Sequence, residues 1–153
     1  MTKQKSKWLP LLDFYKTLGK ASLFLVPWIY CVHEVSHYLA CYALGGNGAV
    51  YHFWPPSVYC NISGAGIVGV SIAPYLVGLL ALFFVRTEWV RLAIMLDGIA
   101  NFIGSVHSQG DFTNILHVSV VWYFLCLTIV LTTMIFLVKY YVTKTKTWQK
   151  VLS

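Results

Sequence analysis

Two histidines and a glutamate stand within five residues, His33-Glu34-Val35-Ser36-His37, and residues of these types at this spacing can do hydrolytic chemistry. In a helix, residues four apart lie one turn apart on the same face, so His33 and His37 can offer two imidazoles to one metal ion. Glu34 sits one step round the helix. From there its carboxylate can reach the water that such a metal activates and act as general base, which is why H-E-x-x-H serves as a zinc-hydrolase motif. With the chain's five histidines, chance gives this pattern in roughly two such sequences per thousand, a low rate for a motif with a mechanism.

Catalytic zinc takes three protein ligands and keeps one position open, so a further donor must come from elsewhere in the chain. The remaining donors are Asp97, Asp111, His52, His107 and His117, with Asp13 and Glu88 placed near the charged ends of their segments. Asp111 opens an apolar run that reads as a helix, where the dipole favours a carboxylate, and it is the preferred third ligand. A simple N-cap role is the plainer reading of the same residue. His107 and His117 read as loop or interface residues and His52 as a strand residue. Asn101 and Asn114 could hydrogen-bond a substrate carbonyl or orient a ligand, although asparagine between membrane helices equally serves packing.

These residues need a frame, and composition says what kind. Of 153 residues 58% are hydrophobic and 10% charged, against about 25% charged in an ordinary soluble domain. The apolar residues gather into runs of the roughly 20 residues needed to cross a bilayer as helix. Inside a bilayer ionisable groups are costly and usually functional, which weighs against reading the His-Glu-His cluster as mere bundle packing. The net charge of +6 sits at the chain ends and not along one face, so it speaks for membrane topology and against a nucleic-acid partner. Lys3, Lys5, Lys16 and Lys20 precede the first apolar run, and Lys139, Lys144, Lys146 and Lys150 follow the last. Both termini are therefore expected on the cytoplasmic side.

The expected architecture is an all-α integral membrane protein with about four transmembrane helices and a short β-hairpin between the first two. Residues 1–19 form an N-terminal interfacial segment, 20–142 the membrane core, and 143–153 a basic tail. The first span covers residues 20–44, with a kink expected at Pro27 and a stop at Gly45-Gly46-Asn47-Gly48, where glycine tolerates the left-handed cap. Residues 49–62, β-branched and aromatic around Pro55-Pro56, read as the hairpin. A second span over 64–85 begins with small residues that admit a close neighbour. Arg86 and Arg91 bracket a turn on the side of the termini; a short third span over 89–104 and a long fourth over 112–141 follow. Cys31, Cys41, Cys60 and Cys126 show no paired spacing and read as buried thiols. Asn61-Ile62-Ser63 fits a glycosylation sequon weakly.

Taken together, the His33–His37 motif in a membrane helix, its glycine-marked exit, the hairpin and Ser71-Ile72-Ala73-Pro74 resemble the site-2 protease family of intramembrane zinc metalloproteases. Asn101-Phe102-Ile103-Gly104 and Gly110-Asp111-Phe112-Thr113-Asn114 look like the short, single-domain branch, in which an aspartate opening a late span completes the zinc site. The resemblance covers about residues 20–125. It implies His33 and His37 as zinc ligands, Glu34 as catalytic base and Asp111 as third ligand. The family's Leu-Asp-Gly string falls instead at Leu96-Asp97-Gly98, so Asp97 stands as the alternative third ligand. Family members commonly open their site toward the cytoplasm, whereas the lysine pattern puts Gly45 and Asp111 on the far side.

The expected activity is hydrolysis of peptide bonds in or near transmembrane segments, with a membrane-protein substrate, zinc as cofactor and lipid as surroundings. A hairpin edge could hold the unwound substrate by strand addition. The alternative is a catalytically silent relative that binds transmembrane partners, which would have no need of Glu34. A metal transporter fits less well, because no chain of polar residues crosses every span. Oligomeric state is left open.

Overall fold

The computed structural model describes residues 9–106 and 111–144; Lys3, Lys5, His107, Gly110, Lys146 and Lys150 lie outside them. Six α-helices and one hairpin follow in the order α1 (Leu9–Trp28), a π-helical turn (Ile29–His33), α2 (Glu34–Ala43), β1 (Asn47–His52), β2 (Ser57–Asn61), α3 (Ala65–Phe84), α4 (Glu88–Val106), α5 (Asp111–Val118) and α6 (Val120–Lys144). Helix α1 crosses the boundary at residue 19 without a break. The apolar run of residues 20–44 is divided among α1, the π turn and α2. Pro27, which lacks the N–H that would close its helical turn, lies inside α1 just ahead of the π turn. A π turn adds one residue to the helix path, about 100° of rotation at 3.6 residues per turn. The consequence is visible in the packing: α1 lies against α4, while α2 lies against α3.

Helix α2 ends as expected on its glycines. Gly45 takes φ +80, its N–H donates to the Tyr42 carbonyl, and the Gly46 N–H donates to that of Cys41 at 2.8 Å. This is the paired 6→1 and 5→2 closure of a Schellman cap. The chain then turns back as an antiparallel hairpin with Tyr51 opposite Val58 and His52 opposite Ser57. It lies back along the helix it has just left, since the Tyr51 hydroxyl donates to the Tyr30 carbonyl at 3.0 Å and Phe53 meets Tyr30 ring to ring.

Two findings depart from the sequence expectation. Cys41 and Cys60 are joined in a disulfide and are not free thiols, because the fold-back of the hairpin brings β2 beside the end of α2 with the two Cα atoms 5.9 Å apart. Cys31 is exposed, and Cys126 alone is the buried thiol expected. The long final span is interrupted at Ser119, where α5 ends and α6 begins; the Ser119 hydroxyl accepts the Trp122 N–H at 3.5 Å, in the manner of an N-cap. Helix α5 packs against both α3 and α6, and its fully buried Phe112 and Ile115 form a core cluster with Val68, Tyr75, Cys126 and Val130. Among the described residues one helix, α3, is long and apolar enough to cross a membrane, with a shorter apolar stretch at Val120–Thr132.

Candidate metal centre

The π turn ends on His33 and α2 begins on Glu34, so the motif straddles the point where the helix changes neighbours. His33, Glu34 and His37 are buried there. The two histidine Nε2 atoms lie 3.2 Å apart. Asp111, the first residue of α5, brings its carboxylate to both of them: Oδ2 is 3.3 Å from His33 Nε2 and Oδ1 is 3.1 Å from His37 Nε2. Anchoring of α5 by Phe112, immediately after Asp111, holds that carboxylate in place. The Tyr75 hydroxyl from α3 donates to Asp111 Oδ2 at 3.2 Å, and the Tyr75 ring stands edge-on to that of His33.

The other nitrogen of each ring is also engaged. His37 Nδ1 is 2.8 Å from the Val70 carbonyl oxygen, which can only accept, so Nδ1 carries the proton and donates. His33 Nδ1 lies 2.8 Å from Asp97 Oδ2 and donates to it. Asp97 is itself held by the Trp28 indole N–H at 3.1 Å and by the Asn101 side-chain amide, which donates to Oδ1 at 3.1 Å. With Nδ1 donating, a neutral ring would turn its Nε2 lone pair toward the other imidazole and toward the Asp111 carboxylate. Two imidazole nitrogens and a carboxylate converge on one point, a set that a positive charge between them would hold together, whether a metal ion or a proton on a ring. The donor set of His33, His37 and Asp111, with ligating atoms all within 4.8 Å of one another, could hold a metal ion. Its second set of hydrogen bonds, from ring N–H to carboxylate and to carbonyl, is the kind that orients metal-binding histidines.

Six of the seven residues singled out from sequence line one cavity of about 450 Å³: His33, Glu34, His37, Asn101, Asp111 and Asn114. Asp97 is not among them; it meets His33 on the ring nitrogen that points away from the other two donors. Asn101, expected as a substrate contact, donates to the Asp97 backbone and carboxylate. The hairpin closes one side of the cavity with Pro56, Ser57 and Val58, and His117, expected as a loop or interface residue, lines it from α5.

Sequence reasoning did not find Tyr75, the Val70 carbonyl or Trp28 as parts of this centre. Tyr75 follows the Ser71–Pro74 string directly, and a hydroxyl beside a small-residue run was the available signal. Nothing in sequence marks a backbone carbonyl such as that of Val70. No family profile, no curated protein and no solved structure matches the chain.

Proposed function

We propose that the chain is an intramembrane zinc metalloprotease of the site-2 protease type, cleaving peptide bonds in or near transmembrane segments of other membrane proteins. The observation that carries this reading is the convergence of His33, His37 and the Asp111 carboxylate on one point, beside buried Glu34 and open to a cavity. A membrane setting is supported by Leu23 (79% exposed), Phe83 (82%), Phe84 (82%) and Val121 (77%). They stand on three different helices, and large apolar side chains displayed so widely suit lipid better than water.

Bound zinc would supply Lewis-acid chemistry, polarising a carbonyl oxygen and making water nucleophilic near neutral pH. His33, His37 and Asp111 would hold it, and Asp97 and the Val70 carbonyl would fix the two imidazoles. The Glu34 carboxylate accepts a proton as the water oxygen bonds to the scissile carbonyl carbon. It returns that proton to the amide nitrogen as the C–N bond breaks. Asn114 lines the same cavity and offers its amide group to an extended substrate backbone, while the Asn101 amide, also at the cavity, is held by Asp97.

Two histidines and one carboxylate also suit ferrous iron, and metal analysis distinguishes it from zinc. The test pairs metal analysis with cleavage of a membrane-embedded reporter helix carrying an Asn-Pro break, using wild type and Glu34→Gln in liposomes. Retained zinc with lost cleavage supports the reading; a Glu34→Gln variant that still cleaves contradicts it.

A further inference from the structure

The Cys41–Cys60 disulfide says more than that the hairpin is tied down. Disulfides persist in oxidising compartments and are rare where glutathione and thioredoxin keep thiols reduced. The bond joins the last turns of α2, the helix that begins with Glu34, to β2, whose first residues line the cavity. Gly46 shows that the chain is built around this bond: a Cβ there would lie 2.7 Å from Cys41 Sγ and 2.8 Å from Cys60 Sγ.

The cations give an independent indication of side. All lysines and arginines fall at residues 3–20, 86–91 and 139–150, while residues 21–85 and 92–138 carry none. Were α1–α2, α3, α4 and α6 each to cross, as the membrane reading has it, Lys16 and Lys20, Arg86 and Arg91, and Lys139 would share one face, and positive charge marks the cytoplasmic side. Arg91 is held at that end, its guanidinium donating to the Val85 carbonyl at 2.6 Å beyond α3. The site lies toward the other end. Val70, which orients His37, is about 8 Å along the axis from Ala65 and about 21 Å from Phe84, at about 1.5 Å per residue.

We infer that the cleft holding Glu34 opens to the oxidising, non-cytoplasmic face of the membrane, so that its substrates are membrane-protein segments in that outer half of the bilayer or just beyond it. The substrate clause rests on the protease reading; the sidedness rests only on its membrane setting. Strand β2, fixed by the disulfide, forms the wall of the cleft on that face, and Asn114 and His117 of α5 stand with it around the cavity.

The test is made on the full chain in membranes of known orientation, and neither readout needs proteolysis or metal. In denatured wild type, alkylation before reduction should block Cys31 and Cys126, with Cys41 and Cys60 becoming reactive only after reductant. In a Cys31→Ser, Cys126→Ala background, Ser57→Cys and His117→Cys should react with a membrane-impermeant maleimide added to the outer face, and Thr87→Cys only from the cytoplasmic face. Alkylation of Cys41 and Cys60 without reductant overturns the inference. So does labelling of Ser57→Cys and His117→Cys only from the cytoplasmic face, or from neither face until the membrane is dissolved. If labelling is as expected and the reporter helix is still not cleaved, it is the protease reading that fails.

Discussion

The two ends of the helix bundle are built on different principles. At the end bearing Arg91, the buried cluster of Trp28, Leu82 and Ile94, flanked by Phe24, Val85 and Val90, packs α1, α3 and α4 through apolar side chains. At the other end, Val68, Tyr75, Phe112 and Ile115 pack α3 and α5, but directly beside them sit the buried His33, Glu34, His37 and Asp97. The first cluster fixes helices to helices. The second fixes a carboxylate to two imidazoles. Trp28 links the two, with its ring in the apolar cluster and its indole N–H on Asp97. Among the described residues the buried charged side chains and histidines are His33, Glu34, His37 and Asp97, all gathered at the centre.

Substitutions can break or sharpen this contrast. The largest effect is expected from Glu34→Gln, which should lower cleavage by about 100-fold to 10,000-fold, the range for a general base, without loss of metal. Metal loss in that variant would make Glu34 a ligand. Next, Phe112→Ala should destabilise the fold by about 3 to 5 kcal/mol and weaken metal binding as well, because it loosens the helix that begins with Asp111. Leu82→Ala, in the apolar end, should cost about 2 to 5 kcal/mol in a denaturant titration yet leave metal affinity unchanged. Equal effects of the two on metal affinity would erase the distinction between the ends. Asp97→Asn should weaken metal binding by about 10-fold to 100-fold, the usual effect of removing an outer partner of a ligating histidine. The smallest effect is expected from Gly45→Ala, about 1 kcal/mol of strain at the positive-φ cap, with metal unaffected.

What could be read from sequence follows the range of the interactions involved. The His33–His37 pairing is local, set by helical spacing, and the glycine cap of α2 is equally local. Asp111 was reachable by elimination together with its place at a helix start. The contest between Asp97 and Asp111 was not decidable in sequence, because the two carboxylates approach opposite nitrogens of one imidazole. Which nitrogen each meets depends on how α4 and α5 pack. The Cys41–Cys60 bond required the hairpin to fold back on α2, which residue spacing does not encode. The interruption at Ser119 was hidden within a continuous apolar run, since a serine there signals a cap only once α5 is seen to turn toward α3.

The central claim is that one metal is held by His33, His37 and Asp111, with Asp97 supporting from outside. Metal content of the purified chain, measured under equal zinc exposure in wild type, Asp111→Asn and Asp97→Asn, tests it most directly. The expected result is about one zinc per chain in wild type, little or none in Asp111→Asn, and zinc retained at reduced affinity in Asp97→Asn. Equal zinc in wild type and Asp111→Asn, or loss in Asp97→Asn alone, would contradict it.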